Sequence, residues 1–364
     1  MVTVKEVAKH AGVSLATVSR VINGAENVSP AIRERVQSSI KALGYFPNNA
    51  ARSLVRRQTG SIAVLLRNLH SPFFTDLIRG FEDGMRQTKR NLFFCSLGKD
   101  QTFRDQYIQF LTGGVADAII LYGSLFTDQP IIEHLQSIRF PFLLIENNFQ
   151  SLTVNQFLVN NQEGAQAAVN HLVFKGHRRI AHFMGDPNKK VNLDRFAGYT
   201  QAMQQSGLTI RDDDLLNIFG DSRLAYQAAQ EIMRRPVDSR PTAIFCCNDR
   251  MAASVITAIT DMGYRVPEDM SVVGFDNQRL PDEHYNGPRI TSVCQPLYQM
   301  GVDSIRVVTD ILNGSISQPI ARTYAATLTE HGTVCPPGCP QLPHPAKPVT
   351  ECAYQQAPTA LETK

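Results

Sequence analysis

Arg20 lies on a short stretch with Ser14, Leu15, Ala16, Thr17, Ser19 and Asn23, residues that are apolar, hydroxylated or amidic. A guanidinium fork matches the O6 and N7 acceptors of guanine, so this stretch has the chemistry of a base reader. A second group lies far along the chain. Asn248 and Asp249 follow an apolar run at 243–247, and Asp276 follows another at 271–275. A carboxylate there can accept from two neighbouring hydroxyls. Phe73, Phe74 and Phe275 suit the apolar walls of a binding site, and Glu146, after a run at 142–145, is a further candidate. Plainer roles compete: Thr3 and Ser14 as helix caps, Phe73 and Phe74 as packing at a helix start, Asp249 as an N-cap and Asp276 as a turn residue. For Asp249 the cap is preferred, and for Asp276 ligand contact.

The elements that position Arg20 are legible. Thr3 and Glu6 have capping-box spacing, Val4, Val7, Ala8 and Ala11 repeat at helical intervals, and Gly12 ends the helix. Ser14 opens a second helix with Leu15, Val18, Val21 and Ile22 on its apolar face, stopped by Asn23-Gly24. A third begins at Ser29-Pro30, with Ser29 as its cap, carries Ile32, Val36, Ile40 and Leu43, and ends at Gly44. Helices this short need one another. The pattern is helix-turn-helix, whose second helix enters the DNA major groove.

Charge agrees with that pattern. Residues 1–57 hold nine Lys and Arg against three Glu, a net +6, so the +3 of the whole chain leaves −3 for the rest. A basic head on a slightly acidic body points to a polyanionic partner for the head. No apolar run approaches the roughly 18 residues of a membrane span, and charged residues break up the N-terminus where a signal peptide would need an apolar core. The expectation is a cytoplasmic protein without membrane contact. Seven irregularly spaced cysteines suggest no disulfide framework. The chain has no P-loop, no GxGxxG after a strand and no GxSxG elbow, so neither an enzyme nor a cofactor is expected. Cys335 and Cys339 near His331 and His344 lack standard metal spacing, so no metal is expected either.

From Ser61 the texture alternates strand and helix. Strands are predicted at 61–66, 92–97, 118–122, 142–145, 180–184, 243–247, 271–275 and 324–328, with helices between, the last at 297–312. Such alternation argues for an α/β body of parallel, doubly wound sheets in two similar lobes, with a ligand at the carboxyl ends of the strands in a cleft between them. The expected domains are the all-α helix-turn-helix head (1–47), a hinge and linker (48–60) and a two-lobed core (61–331). Lobe 1 takes about 61–160 and 295–320, lobe 2 about 161–292 and 321–331, and a disordered Pro-rich tail takes 332–364.

The runs VAKHAGVSLATVSRVING and VSPAIRERVQSSIKALGYFPNNAARSL make the head resemble that of LacI/GalR-family transcriptional repressors. The body is similar to the family's core, itself similar to periplasmic sugar-binding proteins, through NLHSPFF (68–74), HLVFKGHRRIAHFMG (171–185), DRFAGY (194–199), CNDRMA (247–252), VPEDMSVVGFDN (266–277) and ITSVCQP (290–296). The likeness covers residues 2 to about 330. The tail departs from it, as does TLTEHGT (327–333), where the family usually places basic residues.

The resemblance implies that Leu15 and Ala16 meet base edges and Arg20 a guanine, while Thr3, Ser14, Thr17, Ser19 and Asn23 hold phosphates. It implies a hinge helix at 49–57, preceded by Asn48, in which Leu54, with Ala51 beside it, wedges into the central step of the DNA minor groove. It implies a homodimer on a pseudo-palindromic double-stranded operator. It also assigns Arg195, in DRFAGY, to the ligand, with Asn248 and Asp276 bonding ligand hydroxyls. Two-pronged polar recognition of this kind suits a small sugar or sugar derivative as allosteric effector. A nucleoside or purine effector on the same fold is the alternative, and a solute-binding transport protein a more distant one.

Overall fold

The structure is a computed structural model that describes residues 2–25, 27–46, 58–88, 90–97, 101–147, 149, 152–280 and 285–338. Asn48, Ala51, Leu54 and the rest of the expected hinge helix lie outside these residues, as does the chain beyond Gly338.

The head is three helices, α1 (Val4–Ala11), α2 (Leu15–Ile22) and α3 (Pro30–Ala42). Their shared core is Val7, Ala8, Ala11, Val18, Val21 and Val36, with Ile22, Val28, Ile32, Ile40, Leu43 and Tyr45 packed around it. Both arms of the capping box form: the Thr3 amide donates to Glu6 at 2.7 Å, and Thr3 Oγ1 accepts from the Glu6 amide at 3.4 Å. Gly12, at φ 61, turns the chain out of α1, and Ser14 Oγ accepts from the Thr17 amide at 3.1 Å to start α2. Ser29, expected to cap α3, makes no side-chain capping bond; Pro30 at the first turn supplies the preset φ instead.

The remaining chain divides into two compact units. The first, which by chain contacts also takes the head, comprises residues 1–161, 187–193 and 295–326; the second comprises 162–186, 194–294 and 327 onward. The first unit's sheet is wholly parallel, in the order β11 (Ala321–Tyr324), β5 (Gln156–Val159), β4 (Phe142–Ile145), β3 (Ala118–Tyr122), β1 (Ser61–Leu66), β2 (Asn91–Ser96). Buried Val, Ile and Leu fill its central strands, as parallel sheets covered on both faces require. Helices α4 (Thr75–Met85), α5 (Gln101–Phe110), α6 (Gln129–Ser137) and α11 (Leu297–Leu312) belong to this unit. α4 and α11 meet backbone to backbone. A Cβ on Gly80 would lie 2.1 Å from the Tyr298 carbonyl oxygen, so glycine is required there.

The second unit's sheet runs β12 (Thr327–Thr329), β10 (Thr291–Cys294), β9 (Ser271–Asp276), β8 (Ala243–Cys246), β6 (Ile180–Met184), β7 (Leu215–Asn217). It is parallel except for β12, which pairs antiparallel with β10. Its helices are α7 (Asn161–Phe174), α8 (Lys190–Gln205), α9 (Ser222–Arg234) and α10 (Asp249–Asp261). No helix among the described residues is long and apolar enough to cross a membrane.

Two sequence boundaries are corrected. The strand expected at 324–328 is two short strands in two sheets, and residues 321–326 belong to the first unit, not to lobe 2. The chain passes between units at Ala326/Thr327, so hydropathy alone could not split this run. The tail does not begin at 332. Thr333 and Val334 are buried against β9 and β10: the Val272 amide donates to Thr333 O at 2.8 Å, and the Thr291 amide donates to Thr333 Oγ1 at 2.9 Å.

Candidate functional site

On α2 the buried residues are Val18 and Val21, while Leu15, Ala16, Ser19, Arg20 and Asn23 are exposed. At 100° per residue these five span an arc of roughly 140°, one face of the helix. Thr17 is half-buried, its hydroxyl 2.9 Å from Ser14 Oγ. Asn23 donates to Ser19 Oγ at 3.3 Å, so these two polar side chains are held side by side on the exposed face. Arg20 has no ion-pair partner among the described residues. Arg33, part of the same basic head, is committed elsewhere: it donates to the Ala25 carbonyl at 2.6 Å.

The second constellation lies at the carboxyl edge of the second sheet. Arg195, on α8, is almost fully buried. Its guanidinium donates to the Cys247 carbonyl at the end of β8 and to Asp276 Oδ1 at 3.2 Å, and it lies 3.7 Å from the centroid of the Phe275 ring. Phe275 itself is wholly buried, so it supports Arg195 from below and is not an open wall. Asp276 takes φ 101 and Asn277 φ 49. Two successive left-handed non-glycine residues store strain that packing must hold in place, a feature that concentrates at binding sites. Gln278 Nε2 donates to the outer oxygen of Asp276 at 3.2 Å.

The capping role expected of Asp249 falls to Asn248. Asn248 is the N-cap of α10, accepting from the Met251 amide at 2.9 Å, and its amide nitrogen lies 3.7 Å from Cys247 Sγ. Asp249, expected as the cap, is buried and accepts from Ser292 Oγ and the Gln278 amide, each at 2.6 Å. Burial, with Asp276 nearby, pushes its carboxyl well above the usual range, against those two hydrogen bonds. A Cβ on Gly274 would sit 2.0 Å from Asp249 Oδ1, so glycine in β9 is what admits this carboxylate. Asp249 thereby braces the Asp276–Gln278 turn from behind.

The remaining candidates lie in the first unit. Phe74 is core, Phe73 is half-buried, and both rings meet Tyr122 edge-on, at 5.1 and 5.8 Å respectively. Glu146 is buried at φ 51 and accepts from the Val159 amide and from Asn161 Nδ2 at 2.8 Å, which ties the end of β4 to the end of β5 within the first unit. Sequence reasoning missed a cluster at the carboxyl edge of this sheet. Arg67, directly after β1, donates to the Gly123 carbonyl at 2.8 Å and pairs with Asp128, which also takes Arg104 at 2.5 Å and the Leu125 amide at 2.6 Å.

Residues 3–48 match the family described as bacterial regulatory proteins, lacI family, and residues 169–334 match the periplasmic binding protein-like domain. Catabolite control protein A of Priestia megaterium is 32% identical over 313 residues, spanning 86% of this chain and 93% of that protein. The chain belongs to the lacI family. As a lacI-family protein it is a DNA-binding transcriptional regulator and not an enzyme. Among solved structures, the complex of the transcriptional regulator CelR with cellobiose is 27% identical, with a TM-score of 0.69 over 92% of this chain and all of that one. A lac repressor dimer bound to operator and the anti-inducer ONPF has the same fold at 24% identity, with a TM-score of 0.80 over 92% of this chain and 99% of that one. In this lacI-family chain the α2 face offers one guanidinium, two short polar side chains and the apolar tip Leu15-Ala16.

Proposed function

We propose that the chain is a cytoplasmic repressor that binds a pseudo-palindromic operator as a homodimer. In this reading its affinity for DNA is set by a sugar held at the carboxyl edge of the second sheet. The observation that supports it best is the pairing, in one chain, of an exposed α2 face carrying Arg20 with a buried Arg195–Asp276 pair at strand ends. Arg195, Asn248 and Asp276 hold the effector: Asp276 accepts from a ligand hydroxyl while Arg195 and the Asn248 amide group donate. The CelR structure, a cellobiose complex, supports a sugar as the ligand class.

Dimerisation follows from how little one α2 can read. A single arginine–guanine pair is worth about 1–3 kcal/mol of discrimination, far less than a genome of competing sites demands. Two heads on a twofold site double it. Thr3, Ser14, Thr17, Ser19 and Asn23 fix register on phosphates, and Leu15 and Ala16 make apolar contact, for instance with a thymine methyl. Asn48, Ala51 and Leu54 are proposed as linker contacts with DNA.

The test is selection of duplexes from a random library by the full chain, then binding to the selected site and to one half-site. A palindromic site bound far more tightly than its half is expected; equal affinity sinks the dimer. Arg20→Ala should cost about 1–3 kcal/mol on the selected site and relax preference at one position in each half, with non-specific binding nearly unchanged. A thermal-shift screen of sugars and nucleosides tests the effector: a sugar that raises Tm in the wild type and not in Asp276→Ala supports the site.

A further inference from the structure

Residues 47–57 join the head to Gln58, and the chain enters β1 at Ser61. Between the two, a buried carboxylate holds the backbone. Asp117, just before β3, accepts from the Thr59 amide at 2.6 Å and the Thr59 hydroxyl at 3.0 Å through Oδ1, and from the Gly60 amide at 2.8 Å through Oδ2. Thr59 Oγ1 in turn accepts from the Ser61 amide at 3.1 Å. Gly60 makes the bend at φ 70. The backbone ladder is already complete here, since Gly60 O accepts from the Asn91 amide at 2.7 Å and Ser61 O from the Asp117 amide at 2.8 Å.

The first residues before a strand at the amino end of a sheet do not need this much. Its amides can be satisfied by water, whereas burying a carboxylate costs free energy unless its partners are well placed. The partners extend further. Arg90 donates to Asp117 Oδ2 at 3.2 Å and, through its other terminal nitrogen, to Asn313 Oδ1 at 3.3 Å. Asn313 is the C-cap of α11, whose first residue, Leu297, comes directly after the chain arrives from the second unit between Cys294 and Gln295. α11 is seated against α4 without intervening side chains: a Cβ on Gly301 would lie 2.4 Å from the Leu77 carbonyl oxygen, and one on Gly80 2.1 Å from that of Tyr298. The two helices are packed backbone to backbone.

We infer that Asp117 is a positioning residue that sets the direction in which the linker leaves the first unit. Arg90 and Asn313 tie that direction to α11. The inference rests on the reading that the head binds an operator of two half-sites. Half-site spacing then depends on how firmly Thr59 and Gly60 are held.

The test uses the full chain and two variants, Asp117→Asn and Arg90→Gln. Asparagine keeps the volume but presents an NH2 to the Thr59 or Gly60 amide. Each protein selects duplexes from a random library, and affinities are measured for the wild-type site and a scrambled duplex. Asp117→Asn is expected to lose about tenfold in specific affinity, with scrambled-duplex affinity unchanged within about twofold, and to accept a wider range of half-site spacings. Arg90→Gln, which leaves the Thr59 and Gly60 bonds in place, should broaden spacing with a smaller loss, and it carries the test alone if Asp117→Asn does not fold. A merely structural role would lower Tm and leave both the affinity ratio and the spacing intact, and that result overturns the inference. A wild type that selects no sequence overturns the operator reading itself, and this inference with it.

Discussion

Asp128→Ala should lower the unfolding free energy of the first unit by about 3–5 kcal/mol, the range for removing one partner of a buried charge cluster. Asp128 is wholly buried and serves three donors: Arg67, Arg104 and the Leu125 amide. Arg104 is nearly as buried as the carboxylate it meets, and Arg67 is largely so, its guanidinium kept costly to charge chiefly by that burial. Alanine therefore strips a carboxylate from two guanidinium groups and leaves the Leu125 amide without its cap. Asp128→Asn keeps an oxygen for Leu125 but not the charge, so its loss should be intermediate. Replacing Arg104 by Met in the Asp128→Ala background should restore part of the stability, because it removes a buried cation that the first change exposed to loss. The chain has no tryptophan, so urea unfolding is best followed by far-ultraviolet circular dichroism. A loss below about 1 kcal/mol would show the cluster to be solvated, as surface pairs are.

That cluster also shows where sequence reading stops. The capped helices of the head were legible because each signal is local: Thr3 to Glu6, Ser14 to Thr17, Gly12 at positive φ. The central strands were legible because a parallel strand buried on both faces is an unbroken apolar run, as SIAVLL is. Strands β5, β7 and β10 were not. They are three or four residues long, carry Gln156, Asn217, Thr291 and Ser292, and are strands only because a neighbour supplies the ladder. The sites divide in the same way. Arg195, Asn248 and Asp276 were named from family motifs, and the loops after β8 and β9 from strand rhythm. The inward turn of Asp249, away from the cap position, depends on Gly274 and Ser292, distant in sequence, and no pattern around position 249 encodes it. Arg67 with Asp128 and Thr59 with Asp117 are likewise separated by about 60 residues, so they become partners only once β1 and β3 lie side by side.

The second unit should lose stability in mild acid. His177 and His182 are both pushed down to about 4 from an ordinary value near 6.5, chiefly by burial. His182 lies between the rings of Phe245 and Tyr199, at 4.8 and 4.9 Å, and donates from Nδ1 to the Phe245 carbonyl at 3.0 Å. A proton on Nε2 would place a cation in that stack, with Arg195 near enough to oppose it. His177 donates from Nε2 to the Cys335 carbonyl, and its Nδ1 lies beside the Thr242 hydroxyl, each at 2.9 Å; burial, working against the Cys335 bond, is what disfavours its charged form. In both cases the unfolded chain binds the proton more readily than the native one. The stability they contribute is therefore complete above pH 6.5 and is lost as pH falls towards 4. A tenfold difference in proton affinity between the two states is worth about 1.4 kcal/mol, so at pH 4.5 each histidine should account for roughly 2–3 kcal/mol. Asp249, pushed up by burial, acts in the opposite sense, since the native state then takes its proton more readily. Absolute slopes therefore mix signs, and the informative quantity is a difference between variants. His182→Phe keeps a ring in the stack and leaves the Asp249 contribution common to both proteins. It should cost about 1 kcal/mol at pH 7 through the lost Phe245 bond. It should also lose roughly 2–3 kcal/mol less than the wild type between pH 7 and 4.5. If the two proteins lose the same amount, His182 is already charged or hydrated in the native state, and the acid sensitivity of the second unit has another source.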